Sequence, residues 1–162
     1  MRPLLAIVAL ALLMAAGCST EIPTYTGPEV TRVVVSKADR QLYLLHGTEV
    51  LERYDIELGF APEGHKQVEG DGRTPEGSYI IDRRNPNSAY YLSIGISYPN
   101  TEDRAAAADL GQSPGGDIFI HGTPREWRRQ EDWTAGCIAI SNRDMRDVYS
   151  MVRDGTQIDI LP

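Results

Sequence analysis

Short β-type runs, in which apolar and polar residues alternate or a few apolar residues cluster, recur along the chain beyond residue 30. Alternation with a period of two is typical of β-strands that bury one face. A stretch rich in Gly and Pro, 59–77, interrupts the pattern and predicts a long loop. The runs predict strands over residues 31–35, 41–45, 49–58, 78–82, 90–96, 117–120 and 156–161.

Two further segments have helical character. Residues 102–110 include four consecutive alanines, and alanine is the strongest helix former. Ser141 and Asp144 have the form of a capping box, and apolar residues then recur at intervals of three and four, which predicts a helix over 142–153 with one apolar face. Many short strands with one or two short helices predict an α+β, mainly β domain, arranged as a sandwich or a partly closed barrel.

The N-terminus has the pattern of a secretory signal. A short positive start is followed by an apolar run of 13 residues, 4–16, which is shorter than the roughly 20 residues that a membrane-spanning helix needs. Cys18 directly after Ala-Ala-Gly resembles a bacterial lipoprotein box, which implies lipidation of Cys18; an ordinary secretory cut before it is the alternative. We expect a lipoprotein signal peptide over 1–17, a lipidated tether over 18–29 and one domain over 30–162.

Ser19 after the cysteine, rather than Asp, resembles lipoproteins that are sent to the outer membrane. We therefore expect a periplasmic monomer, anchored by lipid in the outer membrane of a Gram-negative bacterium. The net charge of −7 repels nucleic acid and anionic lipid alike, so no nucleic-acid partner is expected and the membrane is reached only through the anchor. If Cys18 carries lipid, Cys137 has no partner for a disulfide within the chain, which indicates an inert buried thiol or a chemical role.

A candidate reactive pair lies in the segment 117–142. His121 ends a predicted strand and precedes Gly122, whereas Cys137 follows Gly136. A neighbouring imidazole lowers the pKa of a thiol by stabilising the thiolate, and the imidazolium can then protonate a leaving amine. A glycine before the nucleophile allows a tight turn and leaves amide N–H groups free to face an oxyanion. The pattern predicts Cys137 as nucleophile and His121 as base; a buried cysteine and a satisfied histidine are the alternative.

These residues resemble the active-site motif of the L,D-transpeptidase (YkuD-type) catalytic domain family. That motif has His-Gly at the end of a strand, a spacer, Ser/Thr-x-Gly-Cys and a downstream Asn, and the matching residues are His121-Gly122, Thr134-Ala135-Gly136-Cys137 and Asn142. The segment 69–77 is similar to the family's Gly-Asp-x-x-Thr-Pro-x-Gly, and 96–99 resembles one branch of it. The similarity extends over nearly the whole predicted domain.

The resemblance implies a β-rich sandwich that acts on peptidoglycan stem peptides. Cys137 would form a thioester, which an amine resolves in transpeptidation and water resolves in hydrolysis. The backbone carbonyl of Gly122 would orient His121, and the amides of Gly136 and Cys137 would form the oxyanion site.

One position departs from the family pattern. Many members have Arg two residues after the cysteine, placed for a substrate carboxylate, and this chain has Ala139. Arg125, Arg73 or Lys66 could supply the missing cation, while Thr134 and Trp133 are further candidates for substrate contact. Ala139 resembles the branch whose enzyme cleaves the covalent link between peptidoglycan and an outer-membrane lipoprotein. Hydrolysis that releases such a lipoprotein or trims stems therefore stays an alternative to transfer, as does a non-catalytic peptidoglycan-binding lipoprotein.

No cofactor or metal is expected, because the spacing of His65, His121 and Cys137 is not that of a zinc site. His65 is expected on the surface and Arg83-Arg84 in a solvated turn. Tyr90 and Tyr91 occupy adjacent strand positions and face opposite sides, so at most one of them reaches a cleft.

Overall fold

The computed structural model describes residues 22–162. The predicted signal peptide, Cys18 and the start of the predicted tether lie outside the described residues. Residues 22–162 form eight strands and two α-helices, α1 (Thr101–Asp109) and α2 (Asn142–Met151), with a 3-10 turn at Arg125–Trp127. The strands are β1 (Arg32–Ser36), β2 (Gln41–His46), β3 (Glu49–Asp55), β4 (Gly77–Ser88), β5 (Tyr91–Ile96), β6 (Phe119–Gly122), β7 (Ile138–Ile140) and β8 (Gln157–Leu161).

All eight strands join one sheet in the order β3-β2-β1-β8-β4-β5-β6-β7. The β1–β8 and β6–β7 pairs are parallel, and the other pairs are antiparallel. The sheet is not closed, although the chain after β3 crosses to the far edge, where Glu57 and Ala139 exchange backbone hydrogen bonds of 2.8 and 2.9 Å. The predicted α+β, mainly β class is confirmed.

Strand β4 is longer than the predicted strand 78–82. Its first part pairs with β8 and its second part with β5, with register shifts along the second part. The prediction of a solvated turn at Arg83-Arg84 is wrong, since both residues lie within β4. The Arg84 guanidinium lies 3.9 Å from the ring centroid of Tyr149 and donates to the carbonyls of Tyr149 and Val152 at the end of α2. A cation is favourable there because helix C-termini carry unpaired carbonyls.

The helices follow the sequence signals closely. Ser141 caps α2 by accepting a hydrogen bond of 3.1 Å from the Asp144 amide, and the predicted apolar face is buried against β5 and β6. Helix α2 ends at Met151 because Val152 turns to extended backbone. Helix α1 begins after Asn100, whose side chain forms a capping box with Asp103.

The described part of the predicted tether lies on the domain. Tyr25 packs against the hydrophobic core, and Val30 is buried within it. Within residues 22–162, neither helix has the length and apolar character needed to cross a membrane.

Candidate active site

His121 and Cys137 are brought together by the parallel pairing of β6 and β7. His121 lies in β6 opposite Ala139, and Cys137 immediately precedes β7. The segment between the strands, residues 123–136, leaves the sheet and returns; we call it the tryptophan loop. Both side chains line two adjoining cavities of about 230 and 290 Å³. The two residues that the sequence singled out therefore share one site.

The His121 imidazole is buried and oriented by its own strand. Its Nδ1 lies 2.7 Å from the carbonyl oxygen of Gly122, and a carbonyl can only accept, so Nδ1 carries the proton and Nε2 keeps the lone pair in the neutral ring. Burial lowers the pKa of His121, and the hydrogen bond to Gly122 opposes that shift without cancelling it. The imidazole is therefore neutral at neutral pH.

Close packing explains the glycine after His121. A Cβ at Gly122 would collide with the Asn142 side-chain oxygen and would lie 2.8 Å from the Tyr90 carbonyl oxygen. The downstream asparagine of the motif thus lies against the residue that orients the imidazole.

The Cys137 thiol is partly exposed and donates to the carbonyl oxygen of Asp117 at 3.5 Å. Burial of the sulfur raises the pKa of Cys137, and a hydrogen bond from the Phe119 backbone offsets part of the rise. Among residues 22–162, no hydrogen bond joins this thiol to the imidazole. The expectation that His121 lowers the pKa of the thiol is therefore wrong for this structure, in which the resting pair is a neutral thiol and a neutral imidazole.

Gly136 is required by the backbone that presents Cys137. Its φ is +128°, and a Cβ at this position would lie 2.6 Å from the Arg73 carbonyl oxygen. Its N–H donates to the Thr134 hydroxyl at 3.1 Å, so it is not free to face an oxyanion as the sequence led us to expect. The Cys137 N–H has no such bond within the described part of the chain.

Thr134 holds the turn before the nucleophile. Its hydroxyl donates to the Cys137 carbonyl oxygen at 2.7 Å and accepts from Gly136. The backbone N–H of Thr134 donates to Leu58, and its carbonyl accepts from Phe60. Although Thr134 borders the smaller cavity, its hydroxyl is committed to the loop, which differs from the substrate contact expected from the sequence.

None of the three candidates for the missing cation lines the two cavities. Lys66 is buried and donates to the Val68 carbonyl and to Asp71, each at 3.0 Å. Arg73 and Arg125 border neither cavity, and Arg73 reaches the site only through its backbone carbonyl. Within the described residues, no Lys or Arg lines either cavity.

Four aromatic rings form a cluster at the site. Tyr90 stacks on the His121 ring with centroids 4.6 Å apart, and Trp133 meets that ring edge-on at 5.6 Å. Trp127 stacks on Trp133 at 5.2 Å. Trp133 was expected at the substrate site and does line the smaller cavity, whereas the sequence showed only that one of Tyr90 and Tyr91 could reach a cleft. The contact of the thiol with the Asp117 carbonyl was missed, because a backbone group leaves no trace in side-chain patterns.

From the sequence, we also considered a metal site formed by histidine and cysteine side chains. Among residues 22–162, no group of three or more His, Cys, Asp or Glu side chains is arranged to hold a metal ion. His65 lies instead against α1, with Nε2 3.1 Å from the Asp103 carboxylate and Nδ1 accepting from the Glu76 amide.

Comparison with known proteins decides the family. The profile of the YkuD family, described as the L,D-transpeptidase catalytic domain, matches residues 30–160. The chain belongs to the YkuD family. The match confirms the resemblance seen in the motif residues.

Individual relatives agree with this assignment. YafK of Escherichia coli K12 is 29% identical over 129 residues, which are 77% of this chain but 47% of YafK. YkuD of Bacillus licheniformis is 27% identical over 92% of this chain and 78% of its own length. The crystal structure of Pgp2 from Campylobacter jejuni, a helical cell shape determining protein, has 27% identity and a TM-score of 0.63, covering 84% of this chain and 49% of Pgp2. The YkuD domain described here thus spans about half the length of YafK and Pgp2.

Proposed function

We propose that this protein is a cysteine acyltransferase of the cell wall, an L,D-transpeptidase that acts on peptidoglycan stem peptides through a thioester on Cys137. One observation carries the proposal: Cys137 and His121 border the same two cavities, while the Gly122 carbonyl keeps Nε2 of the neutral imidazole unprotonated. A neutral imidazole with a free nitrogen is the form that can accept the proton of a thiol.

The acylation step moves one proton. As Sγ of Cys137 attacks the carbonyl carbon of the stem peptide, its proton passes to Nε2 of His121 and a tetrahedral oxyanion forms. The Cys137 N–H, which makes no backbone hydrogen bond outside the strands of the described chain, is the donor that we assign to that oxygen. Collapse breaks the C–N bond, the imidazolium protonates the leaving amine, and a thioester remains.

The second step restores the enzyme. An acceptor amine or water attacks the thioester carbonyl and gives its proton to Nε2, and the thiolate leaves and takes that proton back. Because burial disfavours both charged forms in the resting site, the thiolate–imidazolium pair forms only as the attack proceeds. The aromatic cluster excludes water from the imidazole, which strengthens electrostatic interactions during the step.

Hydrolysis is the second candidate, and the charge of the cavities favours it. Ala139 is fully buried and its backbone pairs with Glu57, and no Lys or Arg among residues 22–162 lines either cavity. A leaving group with a free carboxylate beside the scissile bond would lose its hydration there without gaining a cation. Amide bonds without that carboxylate, as in the release of a covalently linked lipoprotein, fit this site better.

Incubation of the mature chain with purified sacculi, with and without an added acceptor amine, separates these activities. We expect new stem-peptide fragments for the wild type and none for Cys137→Ala. The matched control is His46→Ala, which changes an exposed histidine away from the site and is expected to behave like the wild type. New amide products only with the amine present support transfer, whereas equal release of linked lipoprotein, or the same shortened stems, in both arms supports hydrolysis.

A carbapenem tests the nucleophile independently of substrate choice. Its β-lactam acylates a reactive thiol, so intact-mass spectrometry is expected to show one adduct on the wild type and none on Cys137→Ala. An unmodified wild type, or an adduct that survives in the alanine variant, contradicts the assignment of Cys137.

We also propose that the mature protein is a monomer anchored to the periplasmic face of the outer membrane through lipid on Cys18. The apolar run followed by Ala-Ala-Gly-Cys supports this. Metabolic labelling with a fatty acid is expected to mark the wild type and not Cys18→Ser, and label in both variants contradicts the anchor.

A further inference from the structure

Tyr90 holds an unusual place at the site, because it belongs to neither strand of the β4–β5 hairpin. Its ring lies on the His121 imidazole with an interplanar angle of 29°, and Trp133 approaches the same imidazole edge-on at 64°. Offset stacks and edge contacts are both favourable for aromatic rings. The imidazole therefore has an aromatic neighbour in two directions, although Tyr90 itself stays 42% exposed.

The backbone beside Tyr90 is strained in a way that fixes the stack. Tyr91 has a φ of +79°, a region that residues with a Cβ rarely adopt. Its side chain packs against the core, and the Tyr90 carbonyl and the Tyr91 Cβ both fit closely over Gly122. Such strain persists only where the surroundings hold it, and it concentrates at functional sites. Here the strained turn sends one tyrosine into the core and the other over the imidazole.

Few charges act on the imidazole directly. The titratable groups that share its cavities are the Cys137 thiol, the Tyr90 hydroxyl and the Asp117 carboxylate, and the Asp117 side chain is 92% exposed. No Lys or Arg of the described chain lines these cavities. Access of water, more than a neighbouring charge, therefore sets the protonation of His121.

We propose that Tyr90 is a positioning residue for His121: the stacked phenol ring fixes the imidazole against Gly122 and shields it from water, so that Nε2 stays an unprotonated base. The catalytic part of this role rests on the proposed function of Cys137 and His121, whereas the stack and its shielding do not. The ring, and not the hydroxyl, supplies the effect.

The test compares Tyr90→Ala and Tyr90→Phe with Tyr43→Ala, which removes a partly buried tyrosine from β2 on the opposite half of the sheet. NMR of labelled histidine rings follows the titration of His121, and intact-mass kinetics follow acylation by a carbapenem as a function of pH. For Tyr90→Ala we expect His121 to lose the part of its ring-current shift that Tyr90 supplies and to keep the part from Trp133. We also expect the pKa of His121 to rise, the acid limb of acylation to move to higher pH, and the plateau rate to fall about tenfold. Tyr90→Phe and Tyr43→Ala are expected to match the wild type.

The proposal is overturned if His121 titrates in Tyr90→Ala as in the wild type, or if Tyr90→Phe behaves like Tyr90→Ala. If Tyr90→Ala does not fold, Tyr90→Leu takes its place, because leucine keeps the apolar bulk without an aromatic face; wild-type ring-current shifts in Tyr90→Leu overturn the stack. If no variant is acylated, the wild type included, the function proposed for Cys137 fails, while the histidine titration still decides the role of Tyr90.

Discussion

The glycine-rich loop, residues 59–76, and the tryptophan loop both reach Cys137, yet different interactions hold them. Two buried lysines stabilise the glycine-rich loop. Lys37 donates to the Gly64 carbonyl at 2.6 Å and to Glu76 at 2.7 Å, and Lys66 pairs with Asp71 at 3.0 Å. The tryptophan loop has exposed residues from 125 to 131, and its two Trp rings stack on each other. Its end is tied to the domain by a partly exposed ion pair of 2.7 Å between Asp132 and Arg40 and by the backbone hydrogen bonds of Thr134.

The difference separates two tasks. The backbone of Cys137 must be held in a fixed position. The Arg73 carbonyl of the glycine-rich loop, which packs on Gly136, provides that rigid contact. Contact with a substrate requires accessible apolar surface, which Trp127 and Trp133 supply from the tryptophan loop. We infer that the glycine-rich loop governs reactivity and stability, and that the tryptophan loop governs recognition.

Gly136→Ala breaks the contact between the two loops and has the largest expected effect. The new Cβ would meet the Arg73 carbonyl at 2.6 Å, so we expect carbapenem acylation to slow about 100-fold. Gly155→Ala is the matched control, because Gly155 also has a positive φ, +93°, but nothing lies within 4 Å of its Cβ position. Its expected cost is about 1 kcal/mol of stability with unchanged acylation. Equal rates in the two variants contradict the role of the contact.

Lys66→Met tests the support of the glycine-rich loop. It leaves the Asp71 carboxylate without its cation in a largely buried setting, and we expect the free energy of unfolding to fall by about 3 kcal/mol in urea denaturation. Arg125→Met, an exposed cation of the tryptophan loop, is expected to change it by less than about 0.5 kcal/mol. Similar losses in both variants would show that the two loops are not held differently.

The rate of acylation and the stability of the fold are expected to depend differently on low pH. Burial lowers the pKa of His121 below its ordinary value of about 6.5, so acylation is expected to stay constant through neutral pH and fall about tenfold per pH unit only below that lowered pKa. Although burial alone would raise the pKa of Asp71, hydrogen bonds from Gln67, Arg73 and Lys66 hold it below its usual value. Its contribution to stability is present at neutral pH and is lost only as the pH falls through that lower pKa.

As the pH is lowered, we therefore expect acylation to be lost first, at a pH where chemical denaturation still shows a fully stable protein. Loss of structure before loss of acylation on the way down in pH contradicts it. Asp71→Asn is expected to flatten the acid limb of stability and to leave the pH dependence of acylation unchanged.

Trp127→Ala has the smallest expected effect on stability. The side chain is 36% exposed, so removal of its stack on Trp133 should cost about 1 kcal/mol. The smaller cavity loses one wall, and we expect weaker saturation by stem peptides with an unchanged rate of carbapenem acylation. A large drop in melting temperature would place the tryptophan loop among the supports of the fold.

Local patterns predicted the helices and most strands well. The apolar periodicity and Ser141 predicted the start of α2 correctly and its end to within two residues. Helix caps and an apolar face are both specified by residues that are close together in the sequence. The second part of β4 was missed because Arg83 and Arg84 read as solvated residues, and only the ring of Phe119 and the end of α2 explain their place in a strand. The parallel pairing of β1 with β8 depends on residues more than a hundred positions apart, and no local signal specifies it.

The site was predicted as far as side-chain chemistry allows. His121, Cys137 and the orienting carbonyl of Gly122 occupy the places that the motif implied. The state of the thiol was not predictable, because it depends on burial and on two backbone groups, at Asp117 and Phe119. Lys66, one of the three candidates for the missing cation, does not line the cavities and pairs instead with Asp71, five residues away in the same loop.

Strand β8 lies in the interior of the sheet, between β1 and β4, although it follows the other seven strands of residues 22–162. During folding, the sheet cannot be completed until this strand arrives, and until then β1 and β4 each present an open edge. Such edges pair readily with other chains, and contacts this distant form slowly. The chain is thus most vulnerable to aggregation just before β8 becomes available.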